Sequence, residues 1–337
     1  MSVILSIIVI SHNQKEQLRR CVDSILGQDL PFGYEIIISD DASNDGTWEL
    51  AQEYEAKYHC INAYHCNTND YEPATNSERS GWNRCNGYKH TKGRYIAHID
   101  ADDFHLPNKN IYKKQVELLE MHPECACCMA NDYNLNEDED ISQVKIRHKE
   151  VFETGMILSS EEYIKKYFRE SHCFVYRRNT DINPVEVYGG YYVDRLLTSH
   201  YLQFGDIICL NDASYVYVHY KSSIWAKNKQ SKDKYVLTPL IFIPYLIPKW
   251  KYTIIQTPVR IKQILDAVKL SLSGYKLSES SIKRASKFDI YLYKTFIHRK
   301  SIMDYFRLII LGMCLVMLYI YTPQQKWPYK IIYKLLY

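Results

Sequence analysis

Two apolar runs constrain the fold of this chain more than any other feature. Residues 2–10 read SVILSIIVI and residues 34–39 read YEIIIS. Neither alternates apolar with polar side chains, and both are rich in β-branched residues, so each is expected as a strand buried on both faces, the environment of a helix-covered parallel sheet. Between them, residues 15–28 carry Leu18, Cys21, Val22, Ile25 and Leu26 at helical spacing, which supplies the covering helix. Asp40 and Asp41 close the second run, and SNDGT then opens a second helix through Trp48, Leu50 and Tyr54. The pattern is β-α-β-α, and 337 residues with a hydrophobic share of 46% can fill its core.

The alternation continues. Residues 61–64 form a short third strand, 82–92 a helix and 94–99 a fourth strand that delivers the decapeptide HIDADDFHLP. Pro107 is expected to start the next helix, with Ile111, Val116, Leu118 and Leu119 apolar, before a strand at CACCMANDY. In open α/β sheets, ligands bind at the carboxyl ends of the strands. His12, Asp41 and Asp102 all fall at such ends.

Residues 221–337 differ in character. They hold 17 Lys and 4 Arg against 5 acidic residues, an excess of 16 positive charges that leaves the preceding residues at −13 within a chain of net +3. An acidic body with a basic tail calls for an anionic partner. The apolar stretch 236–248 is broken by three prolines, and 259–272 has helical periodicity. The uncharged run 308–321 would reach only about 21 Å as a helix, short of a hydrocarbon core of roughly 30 Å. The Lys, Trp and Tyr mixture of residues 326–334 is of the kind found at membrane interfaces. Peripheral attachment to an anionic membrane face is therefore expected of 223–337, and helices that only cover the preceding domain are the alternative. The ten cysteines have irregular spacing; with no leader expected ahead of the first strand, they are read as free thiols of a cytoplasmic protein. No nucleic-acid-binding module is recognisable, and nucleic acid is not an expected partner.

Asp100, Asp102 and Asp103 crowd three carboxylates into four positions. Uncompensated, they repel and hold protons. A hard divalent cation, Mn²⁺ or Mg²⁺, resolves the conflict by bridging carboxylate to substrate phosphate. A solvated acidic turn capping the next helix accounts for Asp-x-Asp alone equally well. His59, Cys60, His65 and Cys66 are zinc-type residues, but a strand between them points neighbours apart. Gly-x-Gly-x-x-Gly and Walker motifs are absent.

Taken together and in this order, SIIVISHNQKEQLRRCVDSILGQ, EIIISDDASNDGT and NRCNGYKHTKGRYIAHIDADD resemble the family 2 glycosyltransferases, inverting enzymes of the GT-A fold. With GGYYVDRLL and YVYVHYKSS the resemblance covers about residues 1–222. It implies a GT-A domain over 1–222, with a nucleotide-sugar-binding half at 1–105 and an acceptor half at 106–222, followed by a helical, basic region at 223–337. It also implies a Rossmann-like, mostly parallel sheet flanked by helices. His12 stands where the family places an aromatic residue, commonly tyrosine, against the nucleotide base. Asp41 matches the carboxylate that accepts from the uracil imide, and Asp40 supports it or meets the ribose. Arg84 matches an arginine near the nucleotide phosphates, whereas Cys85 stands where the family has asparagine. Asp102 matches the metal-binding carboxylate, Asp100 the one near ribose or metal, and Asp103 a supporting or helix-capping residue. His219 stands where many relatives bind metal or diphosphate. Inversion needs a base opposite the leaving diphosphate. Gly189-Gly190-Tyr191-Tyr192-Val193-Asp194 makes Asp194 that base, with Asp181 and Glu186 in reserve.

The implied activity is metal-dependent transfer of a sugar from a nucleotide donor, a UDP-sugar, to a glycan or polyprenyl-diphosphate-linked acceptor in surface polysaccharide synthesis. A nucleotidyltransferase would share the Asp-x-Asp site, but Ser11-His12-Asn13 lacks the basic, Gly-rich loop for a triphosphate. A non-catalytic nucleotide-sugar-binding module is the other alternative.

Overall fold

The computed structural model describes residues 2–71, 76–107, 109–148, 152–160, 162–163, 173–179, 183–185, 194–202 and 204–221. The chain divides into two compact units, 1–221 and 222–337. The expectations for 223–337 therefore lie outside the described residues, and so do the reserve candidates Asp181 and Glu186.

In chain order the elements are β1 (Leu5–Ser11), α1 (Lys15–Leu26), β2 (Tyr34–Asp41), α2 (Thr47–Lys57), β3 (Ile61–Cys66), α3 (Asn76–Lys89), β4 (Tyr95–Asp100), β5 (Phe104–His105), α4 (Ile111–Met121) and β6 (Cys125–Asn136). Next come β7 (Lys145–Ile146), β8 (Ile157–Leu158), β9 (Phe174–Arg177), α5 (Asp194–Tyr201) and β10 (Asp206–His219). Among the described residues one sheet runs β3-β2-β1-β4-β9-β6-β10-β5, with β7 paired to β6 and β8 to β10.

All seven residues of β1 are buried. The strand pairs in parallel with β2, from Leu5 opposite Tyr34 to Ser11 opposite Asp40, and with β4, from Leu5 opposite Tyr95 to Ile10 opposite Asp100. Its unbroken apolarity follows from cover on both faces. Ile7 and Val9 join Leu18, Val22 and Ile25 of α1 in one core cluster, while Ile8 faces Gly87 of α3. The second half of the sheet is mixed. The short β9 runs antiparallel between β4 and β6, and β6 and β10 pair in parallel over most of their length.

The described boundaries differ from the sequence-based ones in two places that matter. The helix expected over 82–92 spans Asn76–Lys89, so it begins two turns earlier and brings more polar side chains to the ends of β1 and β2. The helix expected at Pro107 starts only at Ile111, after Asn110 in the left-handed region with φ 47°. Phe104 and His105 first pair with Val216 and Tyr215 of β10, and this pairing holds the acidic segment against the sheet. Among the described residues no cysteine forms a disulfide, and burial raises the thiols of Cys21, Cys127 and Cys128 well above their ordinary value. Such thiols are apolar packing groups.

Gly93 shows how closely backbone segments approach in front of β4. A Cβ there would lie 2.5 Å from the Ser6 amide nitrogen and 2.7 Å from Ser6 Oγ, and the Gly93 N–H donates to that same Oγ at 2.7 Å. The backbone cannot swing aside as a flexible side chain can. We expect Gly93→Ala to cost about 1–3 kcal/mol of overpacking. Urea unfolding measures this; an unchanged midpoint contradicts the close approach.

Candidate functional site

The strand that follows β1 in the chain lies on one side of it and β4 lies on the other, so the carboxyl end of β1 is the point where the sheet order reverses and connections diverge. Two turns meet there. Ser11 Oγ donates to Asp40 Oδ1 at 2.8 Å, and the Ser43 amide and hydroxyl donate to the same carboxylate at 3.0 and 2.6 Å. Asn13 N–H donates to Ser43 Oγ at 2.7 Å, and Asn44 N–H to Asn13 Oδ1 at 2.8 Å. Both turns pass through left-handed residues, Asn13 at φ 53° and Ala42 at φ 49°, and this lacing holds them there. Asp40 is fully buried and acts as the buttress of this pair of turns. His12 is exposed. Its Nδ1 bonds the Asp41 carbonyl, which can only accept, so Nδ1 carries the proton and Nε2 accepts from Asn13 Nδ2 at 3.3 Å. The ring is held in one orientation with its surface in solvent.

Asp41 is buried, and its carboxylate is gripped from one side. Thr68 donates through its amide at 2.9 Å and its hydroxyl at 2.7–2.8 Å. Arg79 Nη2 donates at 2.7 Å, and its Nη1 reaches Asn69 Oδ1 at 2.8 Å. Arg79 is the more exposed partner of this ion pair, 25% against 4% for Asp41 by side chain. A ligand arriving here meets the guanidinium beside the carboxylate, a donor next to an acceptor.

The acidic turn is the centre of the site. Its backbone is closed by Asp103 N–H donating to the Asp100 carbonyl at 3.0 Å and tied to β1 by Ala101 N–H donating to the Ile10 carbonyl at 3.0 Å. The three carboxylates meet different surroundings. Asp100 Oδ1 accepts from Arg84 Nη2 at 2.6 Å, a pair in which the arginine is buried and the acid partly exposed. Asp103 is buried, accepts from Val218 N–H at 2.9 Å and from the Tyr215 hydroxyl, and so fastens the turn to β10. Burial first, then Asp102 and Asp100, push its carboxyl up. Asp102 is half-buried, and no side chain among the described residues donates to its carboxylate. Burial, and then the Asp100 charge, push its pKa up to about 7.

That arrangement fits a hard divalent cation. Asp102, whose carboxylate meets no side-chain donor among the described residues, and the Asp100 oxygen not bonded to Arg84 are hard oxygen donors, and Mg²⁺-like ions bind through one or two carboxylates, leaving the other positions to water and substrate phosphates. Among the described residues no three His, Cys, Asp or Glu side chains converge as a complete protein donor set. His219 accordingly does not complete a trio with Asp100 and Asp102; it is exposed and its Nε2 lies 3.1 Å from Asn134 Oδ1. The zinc-type residues around β3 form no such group either. Cys85 is buried with its thiol pushed up to about 12. Asp194 is the first residue of α5; residues 189–193, which precede it, lie outside the described residues.

Arg20, Tyr220, Thr68 and Arg79 were not singled out from the sequence. Arg20 Nη2 donates to the Asp102 carbonyl at 2.7 Å and to the Tyr220 hydroxyl at 2.9 Å. A lone threonine after β3 and an arginine inside a helix carry no local signal; only the three-dimensional approach to Asp41 and Asp102 reveals them.

With this geometry in place, comparison with known proteins decides the family. Residues 6–182, more than half of the chain, match Glycosyl transferase family 2. The chain belongs to that family. This family 2 chain is 26% identical over 235 residues to the uncharacterized protein Mb1547 of Mycobacterium bovis, covering 68% of the chain and 63% of that relative, so it spans less than two thirds of the relative's length. Over 107 residues it is 33% identical to the UDP-Glc:alpha-D-GlcNAc-diphosphoundecaprenol beta-1,3-glucosyltransferase WfaP of Escherichia coli, covering 32% of the chain and 38% of WfaP. Among solved structures it resembles S. aureus TarS 1-349 in complex with UDP-GlcNAc, with a TM-score of 0.58 and 16% identity over 94% of this chain and 88% of that one. The likeness bears out the GT-A fold. Among the described residues no helix is long and apolar enough to cross a membrane.

The raised Asp102 carboxyl has a consequence for stability. Its folded pKa of about 7 exceeds the unfolded value of about 3.9, so the free protein loses stability as pH rises from about 4 to 7 and stays penalised above. We expect Asp102→Asn to raise the melting temperature of the metal-free protein at pH 8, with the gain fading towards pH 4. Scanning calorimetry across this range tests it; a variant less stable at pH 8 contradicts the uncompensated charge.

Proposed function

We propose that this family 2 chain transfers a sugar from a UDP-sugar to a hydroxyl of a glycan or of a polyprenyl-diphosphate-linked carrier, with inversion and with Mn²⁺ or Mg²⁺, in the synthesis of surface polysaccharide. The observation that carries the reading is the division of labour in the acidic turn. Arg84 holds Asp100, β10 holds Asp103, and the Asp102 carboxylate has no side-chain donor among the described residues. A relative named for a UDP-glucose donor and a diphosphoundecaprenol acceptor supports the choice of substrates.

In this reading the nucleotide lies across the carboxyl ends of β1, β2 and β4. The exposed His12 ring covers one face of the base. Asp41 with Arg79 offers an acceptor and a donor to the base's polar edge, the combination that an imide flanked by carbonyls requires. Asp102, with Asp100 beside it, holds the cation, which when bound neutralises charge on the departing diphosphate. Arg84, already paired to Asp100, adds positive charge on the same side. The base is Asp194, at the start of α5. It takes the proton of the acceptor hydroxyl as that oxygen bonds to the anomeric carbon, while the bond from that carbon to the diphosphate oxygen breaks and the nucleoside diphosphate leaves. His219 remains a candidate for contact with the diphosphate rather than a member of the carboxylate pair.

Two variants separate the roles. Asp102→Ala should lose transfer by at least 100-fold together with metal-dependent UDP binding; Asp194→Asn should lose transfer comparably while binding donor as the parent does. Radiolabelled transfer and calorimetric donor binding report both. Wild-type transfer by either variant removes the corresponding role.

The charge excess of 221–337 supports a further part of the reading, in which the tail holds the enzyme at an anionic membrane face near its acceptor. The full chain should sediment with vesicles containing phosphatidylglycerol and be released by 0.5 M salt, with little sedimentation on neutral vesicles. Equal, negligible sedimentation with both rejects attachment.

A further inference from the structure

We propose that Arg20 is a positioning residue for the acidic turn, locking the Asp102 backbone so that its carboxylate is aimed before substrate arrives. The inference rests on the reading of Asp102 as the cation-holding residue. Arg20 belongs to α1, far in sequence from both groups it joins. From there its Nη2 donates to the Asp102 carbonyl at 2.7 Å and to the Tyr220 hydroxyl at 2.9 Å, with that hydroxyl 3.5 Å from the same carbonyl. Its guanidinium carbon lies 4.3 Å from the centre of the Phe104 ring. A planar cation stacked on a ring is fixed in orientation as well as in place.

The turn needs such a lock because of how its other anchors are distributed. Ala101 is tied through its amide to Ile10, Asp103 through its amide to Asp100 and through its carboxylate to β10, and the Asp100 carboxylate is tied to Arg84. Asp102 projects between them with a carboxylate that no described side chain holds. Its carbonyl bond to Arg20 holds one end of the peptide that follows Asp102, whose other end is held by the Asp103 N–H bond to the Asp100 carbonyl, and together they set the direction in which the side chain leaves the turn. A charge-assisted bond is roughly twice as strong as a neutral one, and this one must resist repulsion from both neighbouring carboxylates. Tyr220 extends the lock. By sharing Nη2 it links the residue just past β10 to the turn, so three segments distant in the sequence meet at one guanidinium.

A positioning role predicts a specific pattern. Arg20→Ala should lower kcat by about 10- to 100-fold, the cost of a misplacement on the order of 1 Å, and should weaken Mn²⁺-dependent UDP binding at least tenfold. UDP binding without metal and the acceptor KM should hardly change. Arg20→Lys, a single point charge without the planar fork, should fall between the two, and Tyr220→Phe should lose a few-fold in the same direction. Titration calorimetry of UDP with and without Mn²⁺ reads the binding arm independently of turnover. If Arg20→Ala does not fold, the graded losses in Arg20→Lys and Tyr220→Phe carry the test. Folded variants that bind Mn²⁺ and UDP as the parent does overturn the positioning role. A parent that shows no metal-dependent UDP binding overturns the reading of Asp102 and this inference with it. A parent that binds but never transfers sugar overturns only the transferase assignment.

Discussion

Three carboxylates within four residues, at the end of a buried strand, set the central electrostatic problem of this fold. Such charges repel at close range, and burial strengthens the repulsion. The structure resolves it unevenly. Asp103 is buried and joined to Tyr215 and Val218 of β10. Asp100 is paired with a buried arginine from α3. Asp102 meets no side-chain donor among the described residues, and burial and the Asp100 charge push its carboxyl up to about 7. Groups perturbed by burial and a like charge cluster at functional sites, and in the proposed reading a bound cation relieves this one.

The surrounding architecture follows from bringing partners to that turn. Parallel pairing of β1 with β2 and β4 brings Ser11, Asp41 and Asp100 together at the carboxyl ends of these strands. α3 passes these strand ends, where Asn83 accepts from Ser39 Oγ at 2.6 Å and donates to the Ser11 carbonyl at 3.1 Å, and the same helix supplies both Arg79 and Arg84. β5 and β10 close the turn from the other side. A short strand of two residues therefore carries more functional weight than its length suggests, because it decides which way Asp103 faces.

Much of this was legible in the sequence, for physical reasons that differ by element. The unbroken β-branched runs identified β1 and β2 as interior strands, and helical spacing of Leu18, Cys21, Val22 and Ile25 identified α1. The motif order carried the family. Helix limits were less legible. The start of α3 lies in a polar stretch without apolar periodicity, and the start of α4 depends on the left-handed Asn110, whereas Pro107 advertised an earlier start. Within the site, residue type showed that Asp100, Asp102 and Asp103 belonged together but not which of them is held by β10, since that follows from β5 pairing across more than 100 residues of sequence. The partners of Asp41, namely Thr68 and Arg79, and the clamp by Arg20 and Tyr220 are likewise products of long-range approach. Single polar residues in a turn or a helix leave no periodic trace.

The central claim is that Asp102 holds the cation through which a nucleotide diphosphate is bound. Anomalous diffraction from crystals grown with UDP and Mn²⁺ tests it most directly. The account predicts one manganese peak at about 2.1 Å from an Asp102 carboxylate oxygen, shared with diphosphate oxygens and beside Asp100. Bound UDP with the manganese peak on other residues, or with no peak at the acidic turn, would contradict it.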